Sequence, residues 1–427
     1  MHSRESAHGG GSFGRRYFPA LYQRNFRLFW IGQCVSVIGT WMQNVGQAWL
    51  VLDMTGSPSK LSVVTAVQFL PMMVLAVFAG PFVDRFPKRK TIIATQTALA
   101  LLALALAVIT WTHIVQYWMI LVLAFLLGMV QLIDNPTRQA YVIEMAGRDT
   151  LMNAVSLNSA AFNLARIVGP AIAGLMIEVI GIAPCFFLNA LSFVAVIAAL
   201  FFIDTPPLAS AKLIQTPRDV LASSKEGLGY IRARRGILVP LALMAVVSTF
   251  VINYNVFVPT FAKINLGRTA AGYGFLMTAM GIGSLLAALS LAVHSGRGPS
   301  KLRLFGGATG TCVAILLCGL QRSYALSCVL LGIVGFCSIS FSASTNATIQ
   351  LESDSEYRGR VMSIYSLVFG GVTPIGSLWA GWVSDAASPA VCMSISGAIG
   401  LAACAVAIVF VRRQERAVEP VVFKKRG

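Results

Sequence analysis

The sequence predicts an all-α membrane protein: twelve transmembrane helices in two six-helix bundles, with both termini in the cytoplasm. Three observations predict it. Apolar residues fill 56% of the 427 positions and charged residues only 11%, less than half of the roughly 25% charge typical of a soluble chain. The apolar residues gather into twelve runs of about 20, the length of helix that crosses a bilayer. The basic residues, finally, are divided unequally between alternate loops, as in polytopic membrane proteins.

The runs lie at about 28–52, 61–83, 91–111, 116–134, 152–177, 184–203, 237–261, 270–293, 302–320, 324–346, 361–384 and 389–411. The first follows a polar segment ending at Arg27 and is too long for a signal-peptide core, so it is expected to stay as a span. With the N-terminus taken as one side, 28 of the 33 Lys and Arg fall on that side. Lys60, Lys263, Arg268 and Arg322 fall on the other, and Arg166 lies inside a span. This asymmetry puts residues 1–27 and 412–427 in the cytoplasm as basic tails. The longest connection, 204–236, is polar, basic and Pro-containing, and predicts a cytoplasmic linker between an N-terminal bundle, 28–203, and a C-terminal bundle, 237–411.

A net charge of +17 would suggest nucleic acid if it formed a stripe on a folded surface. It is dispersed among loops instead, so no nucleic-acid partner is expected. The eight cysteines lie within apolar runs, with no CxxC and no flanking His, and read as small buried hydrophobes. No Walker-type phosphate loop, H-E-x-x-H or G-x-S-x-G occurs, so neither an enzyme nor a resident cofactor or metal is expected. A membrane-embedded enzyme or receptor would need convergent acid, base or nucleophile groups that the sequence does not assemble.

The two halves share a signature. Asn135, Thr137 and Gln139 read N-x-T-x-Q, as do Asn346, Thr348 and Gln350. Met152, Ser156 and Leu157 read M-x-x-x-S-L, as do Met362, Ser366 and Leu367. The offsets, 211 and 210 residues, favour a duplicated unit over chance identity in apolar sequence. Parallel halves related by an axis along the membrane normal are the arrangement of transporters that alternate access around a central site.

Between the second and third runs stands GPFVDRFPKRK, with Gly80, Asp84, Arg85, Lys88, Arg89 and Lys90. This resembles the cytoplasmic loop motif of the major facilitator superfamily. Gly80 permits close helix contact, and Asp84 can pair with the basic loop or cap a neighbouring helix; a solvated orientation signal is the alternative. In the fifth run, Arg166, Gly169, Pro170, Ala173 and Gly174 form a segment similar to the superfamily's antiporter motif, with Ala173 in place of one Gly. The stretch from NPTRQAYV to RIVGPAIAGL is most similar to the enterobactin-exporter-like subgroup. The resemblance implies the major facilitator fold and cavity-lining spans 1, 4, 7 and 10. It also implies efflux of a siderophore-like or drug-like compound by proton antiport. The second copy of the loop motif is degraded to HSGRGPSKLR, and no Arg occurs between Met119 and Ile133, a departure from the superfamily's fourth-span proton-transfer motif.

Polar side chains inside spans mark helix contacts or a watery cavity. Gln33, Ser36, Thr40, Gln43 or Asn44, and Gln47 recur at helical spacing on one face of span 1. Gln43, Asn44, Gln47, Asn253, Asn255 and Asn346 are the substrate-cavity candidates, with interhelical packing the alternative. Asp134, Arg138, Arg166, Gly169 and Pro170 are the coupling or gating candidates. Arg166, deep in its span, needs a partner or water: either it faces the cavity as an anion or proton-relay site, or it is a static partner for the Asp134 region. The expected function is export of a small amphipathic molecule from the inner membrane by a monomer in contact with lipid, coupled to protons. A nutrient importer and a lysolipid flippase are the alternatives.

Overall fold

The computed structural model describes residues 18–83, 86–203, 217–294, 298 and 300–423, and throughout them the regular structure is helical. Hydrophobic length dictates the result, because in lipid a helix satisfies every backbone group within one segment. The first half comprises α1 (Arg24–Thr55), α2 (Pro58–Val83), α3 (Lys88–Trp111), α4 (Tyr117–Gly147), α5 (Asp149–Ile180) and α6 (Ala183–Phe201). After α7 (Pro217–Ala233), the second half comprises α8 (Arg235–Phe250), α9 (Tyr254–Thr260), α10 (Ala270–Val293) and α11 (Lys301–Leu320). It is completed by α12 (Tyr324–Glu352), α13 (Arg358–Ser366), α14 (Thr373–Ala386) and α15 (Pro389–Phe423).

Among the described residues, eleven helices are long and apolar enough to cross a membrane, with α8–α9 continuing to Asn265 and α13–α14 each counted as one. The expected first span, α1, is a helix of 32 residues. Its load of Gln and Asn makes it more polar than the rest.

Several helices run past their predicted ends. α4 continues to Gly147 as an amphipathic extension that buries Tyr141, Val142, Met145 and Ala146, so its apolar run understates its length. Gly147, at φ 63° and ψ 173°, ends it in a backbone conformation that side chains disfavour. α1 begins at Arg24 rather than 28, and α15 runs on to Phe423, through most of the expected tail. Part of the expected linker is helical as well: α7 buries Ile231 and stacks Tyr230 on Tyr357 at 4.4 Å. Residues 204–216 lie outside the described residues.

Span 7 is broken between α8 and α9. The run Thr249–Asn255 is crowded with β-branched residues and Asn, poor helix formers, and Asn253 sits at φ −101°, ψ 43°. Its side-chain amide donates to the Thr249 carbonyl at 2.7 Å, replacing the backbone donor that the break removes.

Helices of each half pack chiefly on one another, and two seams join the halves, α5 against α10 and α2 against α14. Small residues make the α5–α10 seam. A Cβ on Gly174 would come within 2.8 Å of the Ala270 carbonyl oxygen, and Gly274 lies against the Pro170 carbonyl. Both halves contribute to the largest apolar cluster, including Trp49, Leu50, Phe257 and Tyr273. A separate cluster of Phe26, Phe29, Ile92, Tyr141 and Leu200 stays within the first half, at the end that carries most of the basic residues.

The repeated signature keeps its hydrogen bonds. Thr137 donates to the Ile133 carbonyl at 2.6 Å and Thr348 to that of Ser344 at 2.8 Å. Ser156 donates to Met152 at 2.8 Å and Ser366 to Met362 at 3.0 Å. Five of the eight cysteines are buried and three half-buried.

Candidate functional site

At the basic end, the loop motif acts through α3. The Lys88 ammonium is ion-paired with Glu144 of α4. Arg89 donates from Nε to the Leu200 carbonyl at 3.0 Å and from a terminal nitrogen to that of Phe201 at 3.4 Å. These carbonyls belong to the last turn of α6, where acceptors lack helical donors and the dipole favours a cation. Lys90 is exposed, Gly80 lies within the helical backbone of α2, and Asp84 and Arg85 lie outside the described residues. Glu144 was not legible as a partner, because the apolar run ends before it.

Further into the membrane, Asp134 is fully buried and held by α3 and by its own helix. It pairs with Arg138 at 2.7 Å and accepts from Thr95 at 2.6 Å and Gln96 at 3.0 Å. Arg138 also donates to Gln33 of α1 at 3.2 Å and to Asn135 at 3.2 Å. Asp134 is thus the partner of Arg138, and the static pairing of Arg166 with the Asp134 region is replaced by a different environment.

The polar face of α1 fans out to different neighbours. Gln33 serves Arg138, and Gln43 accepts from Asn189 of α6 at 2.6 Å. Gln47 donates to Gln68 of α2 at 3.2 Å, and only Asn44 is exposed. The helical wheel gave the face but not its partners: Gln68 and Asn189, lone amides in apolar runs, were the available signal.

Three of the candidate cavity residues meet in one polar pit of about 110 Å³, lined by Asn44, Gln47, Gln68, Gln131, Asn255 and Tyr273 among others. That is smaller than the roughly 300–1,000 Å³ of a drug-sized site, so the pit can hold one end of such a molecule. A larger cleft of about 690 Å³ opens at the opposite end among α1, α3, α5 and α6, lined by residues of the first half. Asn253 packs against Gly376 of α14, and Asn346 accepts from Gln350 at 2.6 Å. Neither lines the pit.

Arg166 lies 17 residues into α5, about 25 Å along it at 1.5 Å per residue. It donates to Ser284 of α10 at 3.2 Å, across the seam, and its guanidinium lies 5.2 Å from the Trp41 ring and 5.7 Å from that of Phe162. Its Nε is buried without a hydrogen-bond partner. Gly169 abuts α1, where a Cβ would meet the Ile38 carbonyl oxygen at 3.0 Å. Pro170 has no N–H for the Arg166 carbonyl four residues before it, and that oxygen faces Gly281 of α10.

The seams close at the end opposite the basic one. Lys263 binds Asp53 at 2.9 Å and the Leu52 carbonyl at 3.1 Å. Asp385 accepts from the Ser57 hydroxyl at 2.9 Å and the Ser59 amide at 3.0 Å. Thr269 donates to Glu178 at 3.2 Å. On the basic side of the α5–α10 seam, Ser156 and Ser159 of α5 are exposed. No group of three or more His, Cys, Asp or Glu is placed to hold a metal among the described residues.

A family model described as transmembrane secretion effector matches residues 16–422. The multidrug efflux pump Tap of Mycolicibacterium fortuitum is 29% identical over 346 residues, 79% of this chain and 84% of that one. The staphyloferrin A transporter of Staphylococcus aureus is 25% identical, covering 82% and 87%. Macrolide efflux protein A of Streptococcus pyogenes is 21% identical, covering 85% and 90%. Among solved structures, the nucleoside transporter NupG superposes with a TM-score of 0.72 at 11% identity, over 90% of this chain and 98% of that one. An inward-facing, unoccupied bacterial homolog of the human lysosomal transporter Spinster gives 0.65 at 12% identity, over 94% and 95%. At these identities the structural likeness concerns the fold alone.

Proposed function

This chain belongs to the transmembrane secretion effector family of the major facilitator superfamily, and on that premise we propose that it exports a small amphipathic compound by alternating access. It is a multi-pass membrane transporter, and its relatives include multidrug and macrolide efflux proteins and a staphyloferrin A transporter. The observation that carries the proposal is the polarity of the seams. Among the described residues, the ion pairs and hydrogen bonds at the non-basic end that involve an acid, through Asp53, Glu178 or Asp385, join one half to the other.

In this reading α1 is the twelfth span, both termini are cytoplasmic, and residues 28–203 and 237–411 are six-helix bundles rocking about the seams of a monomer in the cell inner membrane. The pit with Asn44, Gln47 and Asn255 takes a polar end of the substrate. Gly169 and Pro170, at the junction of α5 with α1 and α10, form the pivot.

Protons are the proposed driving ion. Asp134 supports this assignment, being the one carboxylate fully buried among the described residues. Its carboxylate holds Arg138, which in turn donates to Gln33 of α1, so a change at this one buried acid would be felt on a second helix.

Everted membrane vesicles test direction and coupling together. Labelled amphipathic compounds should accumulate inside them when a pH gradient is imposed, and accumulation should collapse when the gradient is dissipated. Accumulation indifferent to the gradient removes the proton, and a panel of which no member accumulates removes export.

A further inference from the structure

Among the described residues the membrane-embedded arginine has no counter-charge. Ion pairs there join Lys88 to Glu144, Arg138 to Asp134, Arg234 to Asp354, Lys263 to Asp53, and Arg360 to Glu226. Arg166 is absent from them. Of its five N–H donors, one is spent on the Ser284 hydroxyl, a neutral group that itself donates to the Met280 carbonyl at 2.9 Å. Another, on Nε, is buried and unmatched. The described acids nearest along the chain are placed elsewhere: Glu178 lies at the far end of α5 against Thr269, Asp149 is exposed at the first residue of that helix, Glu144 pairs with Lys88 and Asp134 with Arg138.

A guanidinium in mid-membrane is costly to insert without a partner. Packing alone would be served by an apolar residue, so the cation calls for an anion that comes and goes. The surroundings specify which kind. Trp41 and Phe162 present ring faces to the guanidinium, a lining suited to an apolar body, while the free donors form a planar fork matched to the two oxygens of a carboxylate.

The location is also right for a ligand that reaches the pit. Trp41 stands one helical turn before Asn44 on α1, and Tyr254, within electrostatic reach of Arg166, precedes Asn255 on α9. Asn44 and Asn255 both line the pit. From these observations we infer that Arg166, with Trp41 and Phe162, forms a carboxylate subsite beside the polar pit, and that the exported compounds include amphipathic carboxylates whose charged group is held there. The inference rests on the export reading for its transport consequence but not for binding.

The test uses full-length protein in nanodiscs of neutral phosphatidylcholine. The probes are 1-pyrenebutyrate, its alcohol isostere 1-pyrenebutanol and the cation 1-pyrenebutylamine, with binding read by energy transfer from tryptophan after subtraction of empty discs. Wild type should bind the carboxylate at least tenfold more tightly than the alcohol. Arg166→Gln should erase that preference while leaving the alcohol within twofold, and Arg166→Lys should keep part of it.

Equal binding of carboxylate and alcohol by wild type overturns the subsite, and needs no variant to fold. Parallel loss of all three probes in a folded Arg166→Gln also overturns it, since that pattern belongs to a structural role. Proteoliposomes of the same lipid separate the two readings. Selective binding without transport keeps the subsite and removes export; transport of all three probes without preference keeps export and removes the subsite.

Discussion

The two ends of the molecule spend their charges differently. At the basic end the ion pairs among the described residues do not join the halves: Lys88 to Glu144 and Arg138 to Asp134 lie within the first, while Arg234 to Asp354 and Arg360 to Glu226 tie the linker to the second. At the opposite end Asp53, Glu178 and Asp385 each reach across a seam. Contacts within a half make a rigid body, and contacts between halves favour one arrangement of two bodies. The basic end is therefore built to hold its shape, and the opposite end to be undone.

The largest effect is expected where a charge is both buried and confined to one half. Asp134→Leu leaves Arg138, 18% exposed, without its partner, a change that costs about 3–5 kcal/mol when such a pair is broken on one side. Thermal unfolding in detergent should show a strong loss, and adding Arg138→Met should recover much of it. If the double variant is no more stable than the single, the pair does not act as the unit that makes this end rigid.

Next comes the seam itself. Gly274→Val places a side chain against the Pro170 carbonyl and the Gly174 backbone, overpacking that typically costs about 1–3 kcal/mol. The cost falls on the arrangement with this seam closed. Transport should be lost while folding persists, and a cysteine introduced at Asn44 should become more reactive to a membrane-impermeant thiol reagent from the non-basic side. Unchanged reactivity would mean that α5 and α10 stay together throughout.

How far the sequence revealed these features follows from the range of the interaction involved. Span existence depends on hydrophobic length, a local property, and all twelve runs start within four residues of a helix start. Segments that leave the bilayer lack that signal: the extension of α4 through Met145 and the linker helix α7 are amphipathic, and their apolar residues are too few to form a run. The polar residues were visible one by one. Their partners were not, because Gln43 with Asn189, Gln47 with Gln68, and Arg166 with Ser284 are separated by 146, 21 and 118 residues, and spacing along one helix carries no information about which neighbour it meets.

A smaller effect is expected at Lys263, whose ammonium binds Asp53, 62% exposed, while lying 5.1 Å from the Trp49 ring. Exposed pairs are worth about 0.2–1 kcal/mol, so Lys263→Gln should leave stability unchanged. It should move the balance of the two arrangements toward the open non-basic end by up to about fivefold, the equivalent of 1 kcal/mol. Double electron–electron resonance between spin labels on that end reads the populations directly. A loss of stability without a population change would assign the pair to folding, against the division drawn between the ends.

The smallest single effect belongs to Asp385. Its carboxylate accepts from the Ser59 amide in the first turn of α2, while Ser57 caps the same turn by accepting from the Lys60 amide at 3.3 Å. The second half thus supplies an anion to a helix start of the first, where the dipole and unpaired amides favour negative charge by about 0.3–1 kcal/mol. Asp385→Asn keeps an acceptor and removes the charge, so the shift should be no more than a fewfold. The three latches lie on separate helix pairs, and distant sites add. Combining Lys263→Gln, Asp385→Asn and Glu178→Gln should therefore multiply the single shifts, and the same spin labels would report the product. A triple variant no more open than Lys263→Gln alone would mean that one latch holds the end shut and that the other two merely decorate a seam closed by its glycines.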